Sequence, residues 1–184
     1  MLIDVIKNKK RTFDKVLLTN GKLEDKLKAH LLGLQHYAFS VFIFDDYGRF
    51  LLQQRAISKY HSGGLWSNTC CSHPLNVCNI SIIEDQVRQR LIEEMGINCY
   101  NLRYFSIFVY NSQCNDLKEN EVDYIFYGYT KDKPKINSDE VKSYRWESLP
   151  AIYQEMEESP QLFTTWFCDI LKFYGKDLFG LNRK

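Results

Sequence analysis

The chain has 184 residues, 45% hydrophobic and 15% aromatic, with 24 Lys and Arg residues against 23 Asp and Glu. A net charge of +1 excludes a general electrostatic field for nucleic acid or an anionic membrane, so an anionic partner has to meet a local group of cations. No apolar run reaches the roughly eighteen residues of a membrane span, and the first residues lack a secretory-signal pattern. We therefore expect a cytoplasmic protein whose six cysteines are reduced thiols.

The first regular element is an apolar run. Residues 37–44 read YAFSVFIF, residues 45–48 read DDYG, and the chain becomes apolar again over residues 50–54. Two apolar runs separated by such a polar turn predict a β-hairpin with a buried first strand.

A helix is predicted over residues 81–95. Apolar side chains recur at every fourth position: Ile83, Val87, Leu91 and Met95. Ser81 and Glu84 have the spacing of a capping box at the start, and Gly96 follows as a C-terminal stop.

The C-terminal half predicts three strands and two helices. The strands cover residues 102–110, 122–130 and 141–146, and one helix starts near Pro150. The last helix is expected to have Ser159 as N-cap, Pro160 as first residue and Gly175 beyond its end. This order predicts an α/β or α+β domain. We expect a single domain over residues 1–184, with residues 1–12 as an N-terminal extension.

The segment around Cys71 and His73 is the first candidate for chemistry. In an extended chain, residues two apart point to the same side, so the thiol and the imidazole share one space. A small buried thiol beside a hydrogen-bonded histidine is the plainer interpretation. A zinc site made of Cys70, Cys71, His73 and Cys78 is a third, although its spacing matches no paired-ligand motif.

Glu119 and Glu121 form a second candidate, because a period of two puts both carboxylates on one face of a strand, where they can grip a cation. A solvated acidic turn is the alternative. His30 and His36 flank the entry to the first strand, and three imidazoles with two carboxylates suit a divalent metal.

Four cations could recognise an anion: Lys26, Arg55, Lys59 and Arg90. Arg90 lies one helical turn before Glu94, so the two side chains face the same way and could hold a diphosphate through an ion pair and a bridging metal. An exposed helical ion pair is the alternative, and such a pair contributes only a few tenths of a kcal/mol.

Four separated motifs, which follow one another along the chain in the right order, resemble those of the type I isopentenyl diphosphate isomerases. They are Cys71-Ser72-His73-Pro74 after Trp66-Ser67-Asn68, Glu119-Asn120-Glu121, Arg55-Ala56-Ile57-Ser58-Lys59, and Glu94-Met95-Gly96. The resemblance runs from about Val16 to the last helix and implies a Nudix-type fold, a mixed β-sheet sandwiched between helices.

The resemblance also implies the roles of individual residues. Cys71 and Glu121 would be the catalytic thiol and carboxylate, with Tyr110 beside the carboxylate and Trp166 over the reacting carbons. One divalent metal (Mn²⁺, Zn²⁺ or Mg²⁺) and a Mg²⁺ on the diphosphate are implied. The metal ligands would be His30, His36, His73, Glu119 and Glu121, with Glu94 for the Mg²⁺, and the phosphates would meet Lys26, Arg55, Lys59 and Arg90.

The Nudix box G-x5-E-x7-R-E-U-x-E-E-x-G-U, in which U is aliphatic, is only half present. Anchored on Gly96, it keeps Leu91, Glu93, Glu94 and Ile97 but has Leu75, Ser81, Gln89 and Arg90 where Gly, Glu, Arg and Glu are expected. Because half of the acids that hold catalytic Mg²⁺ in the hydrolases are missing, the box favours isomerisation over diphosphate hydrolysis.

Three functions follow from these patterns. The first is an isopentenyl diphosphate Δ-isomerase that feeds isoprenoid synthesis by adding and removing a proton through a tertiary carbocation. The second is a Nudix-type hydrolase of another diphosphate, and the third is a non-catalytic binding module. Trp166 is either an aromatic lid over the cation or part of the core of the last helix. The partner is a small diphosphate, and the protein is expected to be a monomer or a weak dimer.

Overall fold

A computed structural model describes residues 15–114 and 116–180, and the predicted N-terminal extension lies outside them. The chain begins with β1 (Lys15–Leu17), β2 (Leu23–Asp25) and α1 (Lys26–Leu32). It continues with β3 (His36–Phe44), β4 (Phe50–Arg55), β5 (Trp66–Ser67), β6 (Cys70–Ser72), α2 (Ile80–Met95), β7 (Tyr100–Cys114), β8 (Leu117–Tyr129) and β9 (Val141–Glu147). It ends with α3 (Leu149–Glu158), a 3₁₀ turn (Pro160–Leu162) and α4 (Thr165–Gly180).

Within the described residues, seven strands form one mixed sheet in the order β5-β4-β3-β8-β7, with β6 also on β3 and β9 also on β4. The strands β3 and β8 run parallel at its centre, so that His36 lies beside Glu121 and Ser40 beside Ile125. β1 and β2 form a separate two-stranded sheet. Among the described residues, no helix combines the length and the apolar composition needed to cross a membrane.

The predicted hairpin of β3 and β4 is formed, with its first strand buried, but the ladder between its two strands is short. The two strands are paired only at Phe44 and Phe50, next to the turn, and β4 then pairs with β9. Thr69 separates them, because its hydroxyl donates to the Leu51 carbonyl at 2.6 Å and accepts from the Ile43 amide at 3.0 Å. A side chain thus takes the place of the missing ladder bonds, and this opens space for β6 beside β3.

Helix α2 covers one face of the sheet. Its four-residue apolar repeat is fully buried against side chains of β3 such as Val41 and Ile43, as the periodicity predicts. Gly96 ends the helix in the left-handed conformation, with φ 62°. The N-cap is Asn79 rather than Ser81, since the Asn79 side chain accepts from the amide of Ile82 at 3.0 Å.

Helices α3 and α4 cover the other face, where an aromatic-rich core packs on Phe42 and Phe44. The expected mixed sheet between helices, of the α+β class, is thereby confirmed. This second face carries the predicted site residues Cys71, Glu121 and Trp166.

The predicted boundaries of the last helix are wrong at both ends. Pro160 begins a 3₁₀ turn, and the Thr164 amide then donates to the Trp66 carbonyl at 2.9 Å, so the chain is tied to β5 before α4 begins. Gly175 lies inside α4 rather than after it. A Cβ there would lie 2.2 Å from the Tyr153 hydroxyl oxygen, so this glycine serves close helix packing instead of termination.

Candidate active site

Three imidazoles and one carboxylate converge at the end of the sheet where β3 begins. His30 lies on α1, His36 opens β3, His73 follows β6 and Glu121 lies on β8. One ligand atom from each of the four falls within 4.8 Å of all the others. We call these four residues the histidine–carboxylate cluster. A donor set of imidazoles and a carboxylate suits a divalent transition metal or Mg²⁺.

The orientation of two imidazoles is fixed by the main chain. Nδ1 of His30 lies 2.7 Å from the Lys26 carbonyl oxygen, and Nδ1 of His36 lies 2.8 Å from that of Leu34. A proton on each Nδ1 leaves Nε2 as a lone-pair donor directed into the cluster. Nε2 of His36 is buried and has no hydrogen-bond partner in the described part of the chain, although it lies 3.2 Å from Oε1 of Glu121. The donors therefore fit a metal ion.

Glu119 lies on the same face of β8 as Glu121, and both are buried. Strand β8 begins at Leu117, so the pair lies within the strand rather than in a solvated turn. Oε2 of Glu119 is 3.4 Å from Nε2 of His30, and Oε1 is 3.1 Å from Nε2 of His61. The carboxylate thus lies between two imidazoles.

Charge interactions hold Glu121 ionised. Burial acts to raise the pKa of its carboxyl group, but the neighbouring His36, Glu119 and Tyr110 outweigh it and lower the pKa to about 2. The Tyr110 hydroxyl donates to Oε2 at 2.7 Å, and burial raises the pKa of that hydroxyl well above its ordinary value. The structure therefore places Tyr110 beside the carboxylate as the resemblance implies.

The pKa values of two histidines are shifted in opposite directions. Burial and the charges of Lys26 and the neighbouring imidazoles lower the pKa of His73 well below its ordinary value. The pKa of His36 is instead raised, because Glu121 outweighs its burial. At neutral pH His73 is uncharged, the form that binds metals.

Cys71 lies on the Glu121 face of the sheet. It is paired with Ser40, whose hydroxyl donates to the buried Asp123 two residues beyond Glu121 at 2.7 Å. Burial raises the pKa of the Cys71 thiol to about 11, against a lowering by Arg55. The thiol is therefore protonated at neutral pH and can act as a proton donor.

The four-residue zinc site is not formed. Cys70 is buried in the core beneath α2, on the opposite face from Cys71, and Cys78 is exposed. Cys71 and His73 do share one face, although His73 turns to Glu121 with Nε2 at 3.0 Å from Oε1. Alternation along β6 explains both results.

Trp166 is both a core residue and a wall of the site. It is 5% exposed and packs in the aromatic core beneath α4. Its Nε1 donates to Oδ1 of Asn68 at 3.2 Å, and the guanidinium of Arg55 lies 5.3 Å from the ring centroid. Nη1 of Arg55 also lies 3.5 Å from the Cys71 sulfur, which brings the indole near the thiol.

A second group of charges surrounds Glu140. Lys59 forms an ion pair with its Oε2, and Nη2 of Arg90 lies 3.7 Å from the same oxygen. Arg90 also pairs with Glu94, which is 2% exposed and approached by Nε2 of Gln53 at 3.4 Å. We call this group the basic cluster, after its two cations, and it consists of Lys59, Arg90, Glu94 and Glu140. Arg90 and Glu94 are therefore part of a partly buried network with Glu140 and Lys59, rather than an isolated exposed helical pair.

The other two cations lie elsewhere around the site. Nζ of Lys26 is 5.4 Å from the ring centroid of Tyr60, the neighbour of Lys59. Arg55 ends β4 and lies between Trp166 and Cys71. The four predicted cations thus come from α1, β4, the loop after β4, and α2.

Two residues at the site lie outside the motifs: His61 is buried against Glu119, and Glu140 joins two cations. A third, Asn68, lies in the Trp66-Ser67-Asn68 motif but had no predicted role, and its side chain accepts a hydrogen bond from the indole. The sequence offered one indication for His61: the chain has four histidines, and the other three were already assigned to one candidate site. Glu140 lies in a polar loop before β9, and nothing in that local sequence distinguishes it from an ordinary loop residue.

The chain is similar to known proteins in both sequence and fold. A family model of the NUDIX domain matches residues 34–167. The chain is 46% identical over 144 residues to an isopentenyl-diphosphate Delta-isomerase of Burkholderia multivorans, covering 78% of this chain and 80% of that protein. A protein of the same name from Pectobacterium atrosepticum is 44% identical over 143 residues, covering 78% of each.

Solved structures give the fold alone at lower identity. A MutT protein from Methanosarcina mazei Go1 superposes with a TM-score of 0.60 at 20% identity, over 82% of this chain and 96% of that one. A MutT NUDIX hydrolase from Burkholderia pseudomallei superposes with a TM-score of 0.57 at 18% identity, over 75% and 96%.

Proposed function

We propose that this chain, which belongs to the isopentenyl-diphosphate Delta-isomerase family and contains a NUDIX domain, interconverts isopentenyl and dimethylallyl diphosphate in the cytoplasm. The observation that supports this most is the placement of the Cys71 thiol on the same sheet face as the Glu121 carboxylate. An isomerase needs a proton donor and a proton acceptor at one substrate, and hydrolysis of a diphosphate needs neither a thiol nor a dry pocket.

The reaction moves a double bond by two proton transfers. A proton adds to the terminal CH₂ carbon of the isopentenyl chain, which leaves a positive charge on the tertiary carbon. Loss of a proton from the neighbouring CH₂ carbon then forms the internal double bond. An alkene is a very weak base, and water would trap the cation, so a positioned acid and a water-free pocket are required.

Cys71 and Glu121 are the proposed proton-transfer pair, and they come from separate strands, β6 and β8. The Tyr110 hydroxyl supports Glu121 through its bond to Oε2. Trp166 presents an aromatic ring near the thiol, and a ring face stabilises a desolvated cation by about 1–2 kcal/mol. The aromatic core beneath α4 keeps this side of the sheet dry.

The histidine–carboxylate cluster, with Glu119, is the proposed site of one divalent metal. Mn²⁺, Zn²⁺ and Mg²⁺ all accept imidazole and carboxylate ligands to some degree, so metal supply decides among them. When bound, such an ion makes a coordinated carboxyl group more acidic. The residues of the chain contribute by fixing the donors: main-chain carbonyls hold the His30 and His36 rings before any ion arrives.

The basic cluster is the proposed diphosphate site, together with Lys26 and Arg55. Arg90 and Lys59 are held by carboxylates, and a diphosphate can replace those carboxylates as the partner of the two cations. Glu94 then becomes available to a Mg²⁺ carried by the diphosphate. Binding is thus an exchange of ion pairs within the cluster.

An assay with isopentenyl diphosphate and Mg²⁺ tests the proposal against its two rivals. Purified protein should produce dimethylallyl diphosphate without releasing phosphate, and the same sample should contain a divalent metal. Release of phosphate or pyrophosphate without the isomer would identify a hydrolase. Binding of the diphosphate without turnover, in a metal-loaded sample, would identify a binding module.

A further inference from the structure

His61 lies in the loop between β4 and β5, and no motif assigns it a role. The loop is closely held: the Arg55 amide donates to the Leu65 carbonyl at 2.9 Å, and the Gly64 amide donates to the Arg55 carbonyl at 3.1 Å. Nη2 of Arg55 donates to the carbonyl of His61 itself at 3.1 Å. His61 is 5% exposed, so the loop presents this ring in a fixed position.

The His61 ring contacts Glu119 through one nitrogen. Nδ1 lies 3.1 Å from the Ser62 hydroxyl, and Nε2 lies 3.1 Å from Oε1 of Glu119. If Ser62 donates to Nδ1, the ring proton is on Nε2 and is available to Glu119. This contact does not have the geometry of a hydrogen bond, and within the described residues the buried Nε2 has no hydrogen-bond partner.

The same ring contacts Trp166 through its face. The His61 and Trp166 ring centroids are 5.6 Å apart and their planes are 22° from parallel. The hydrogen bond from Nε1 to Asn68 holds one edge of the Trp166 indole. Stacking on His61 limits rotation of the indole about this hydrogen bond. His61 therefore lies between a carboxylate of β8 and the indole of α4.

We propose that His61 is a positioning residue, which orients Glu119 toward the metal through Nε2 and fixes the plane of Trp166 through its ring. The first part rests on the ligand role proposed for Glu119. Oε1 of Glu119 lies 3.1 Å from Nε2 of His61, and Oε2 lies on the His30 side, 3.4 Å from Nε2 of His30. Partners of this kind commonly change metal affinity by about 10–100-fold when they are removed.

Two substitutions separate the two contacts. His61→Phe keeps a ring against Trp166 but removes both nitrogens, and His61→Gln keeps an N–H donor for Glu119 but removes the ring. Metal-stripped proteins are titrated with Mn²⁺ alone, and binding is followed by electron paramagnetic resonance. We expect His61→Phe to bind Mn²⁺ about tenfold more weakly. His61→Gln should stay within about threefold of the unmodified chain.

Fluorescence tests the second contact. His61→Gln should change the emission of Trp166, and the change should disappear when Trp166→Phe is added, while His61→Phe should leave the emission nearly unchanged. Circular dichroism confirms that each variant is folded before it is scored.

Equal Mn²⁺ affinity in His61→Phe and the unmodified chain would overturn the contact with Glu119. Equal weakening in both variants would also overturn it, because the loss would then follow from packing rather than from the nitrogen. An unmodified chain that binds no Mn²⁺ would overturn the inference together with the ligand assignment. A chain that binds Mn²⁺ without producing an isomer would refute the proposed function, and the two titrations would still decide the role of His61.

Discussion

The two charged groups of the site are held in different ways. In the histidine–carboxylate cluster, main-chain carbonyls fix the imidazoles of His30 and His36. In the basic cluster, carboxylates hold the cations, as Glu140 holds Lys59. A main-chain contact does not change when a ligand binds, whereas an ion pair can exchange one anion for another. The comparison indicates that the proposed metal site is built in advance, whereas the proposed diphosphate site would exchange its ion pairs when substrate binds.

The largest expected effect comes from Glu121, where the proposed metal site and the proposed proton transfer meet. Glu121→Gln removes the ionised oxygen and should lower turnover about a thousandfold or more, in line with the loss of a general acid or base. Steady-state kinetics at saturating Mg²⁺ measures this. Glu157→Gln is the matched control, because Glu157 is exposed on α3, and it should keep full activity. Comparable activity in the two variants would remove Glu121 from the chemistry.

Adjacent cysteines give the next test. Cys71→Ala should lower turnover at least a hundredfold with little change in stability, because it removes one proton-transfer group. Cys70→Ala should leave turnover nearly unchanged and cost about 1 kcal/mol of unfolding free energy, because Cys70 is fully buried in the core beneath α2. Urea unfolding and the isomer assay measure both quantities. Full activity in Cys71→Ala would contradict the role of the thiol.

The proposed metal site can be broken without touching the basic cluster. His73→Ala removes one of the four candidate metal ligands and should lower divalent metal affinity about a hundredfold. Elemental analysis of the purified variant, followed by Mn²⁺ titration, measures the loss. An unchanged metal content would refute the ligand assignment of His73.

The basic cluster should respond in the opposite way. Arg90→Gln should raise the KM for the diphosphate about tenfold to a hundredfold, since a charged hydrogen bond contributes about 1.5–3 kcal/mol. Its metal content should not change. Arg49→Gln is the matched control, because Arg49 forms an exposed pair with Asp45 in the turn after β3. If Arg90→Gln loses metal, the two clusters are not independent and the comparison fails.

Much of the fold could be predicted because it depends on local periodicity. The repeat from Ile83 to Met95 gives α2 and its buried face, and the alternation of Glu119 and Glu121 gives their common side of β8. The isomerase family and its Nudix-type fold, inferred from four motifs, are confirmed. The roles of the individual site residues stay predictions.

The remaining features depend on contacts between distant segments. Thr69 separates β3 from β4, and Tyr153 explains Gly175, yet neither contact has a local signature. His61 reaches Glu119 only because the loop before β5 folds back over the sheet. A sequence pattern describes what one segment prefers, and these positions are decided by what another segment supplies.

Isomerisation in D₂O tests the proton-transfer account most directly. A proton donor that exchanges with solvent adds deuterium to the terminal carbon, so NMR should show deuterium in a methyl group of dimethylallyl diphosphate. Glu121→Gln and Cys71→Ala should show little product and little deuterium. Isomer formed without deuterium, or phosphate released in its place, would contradict the account.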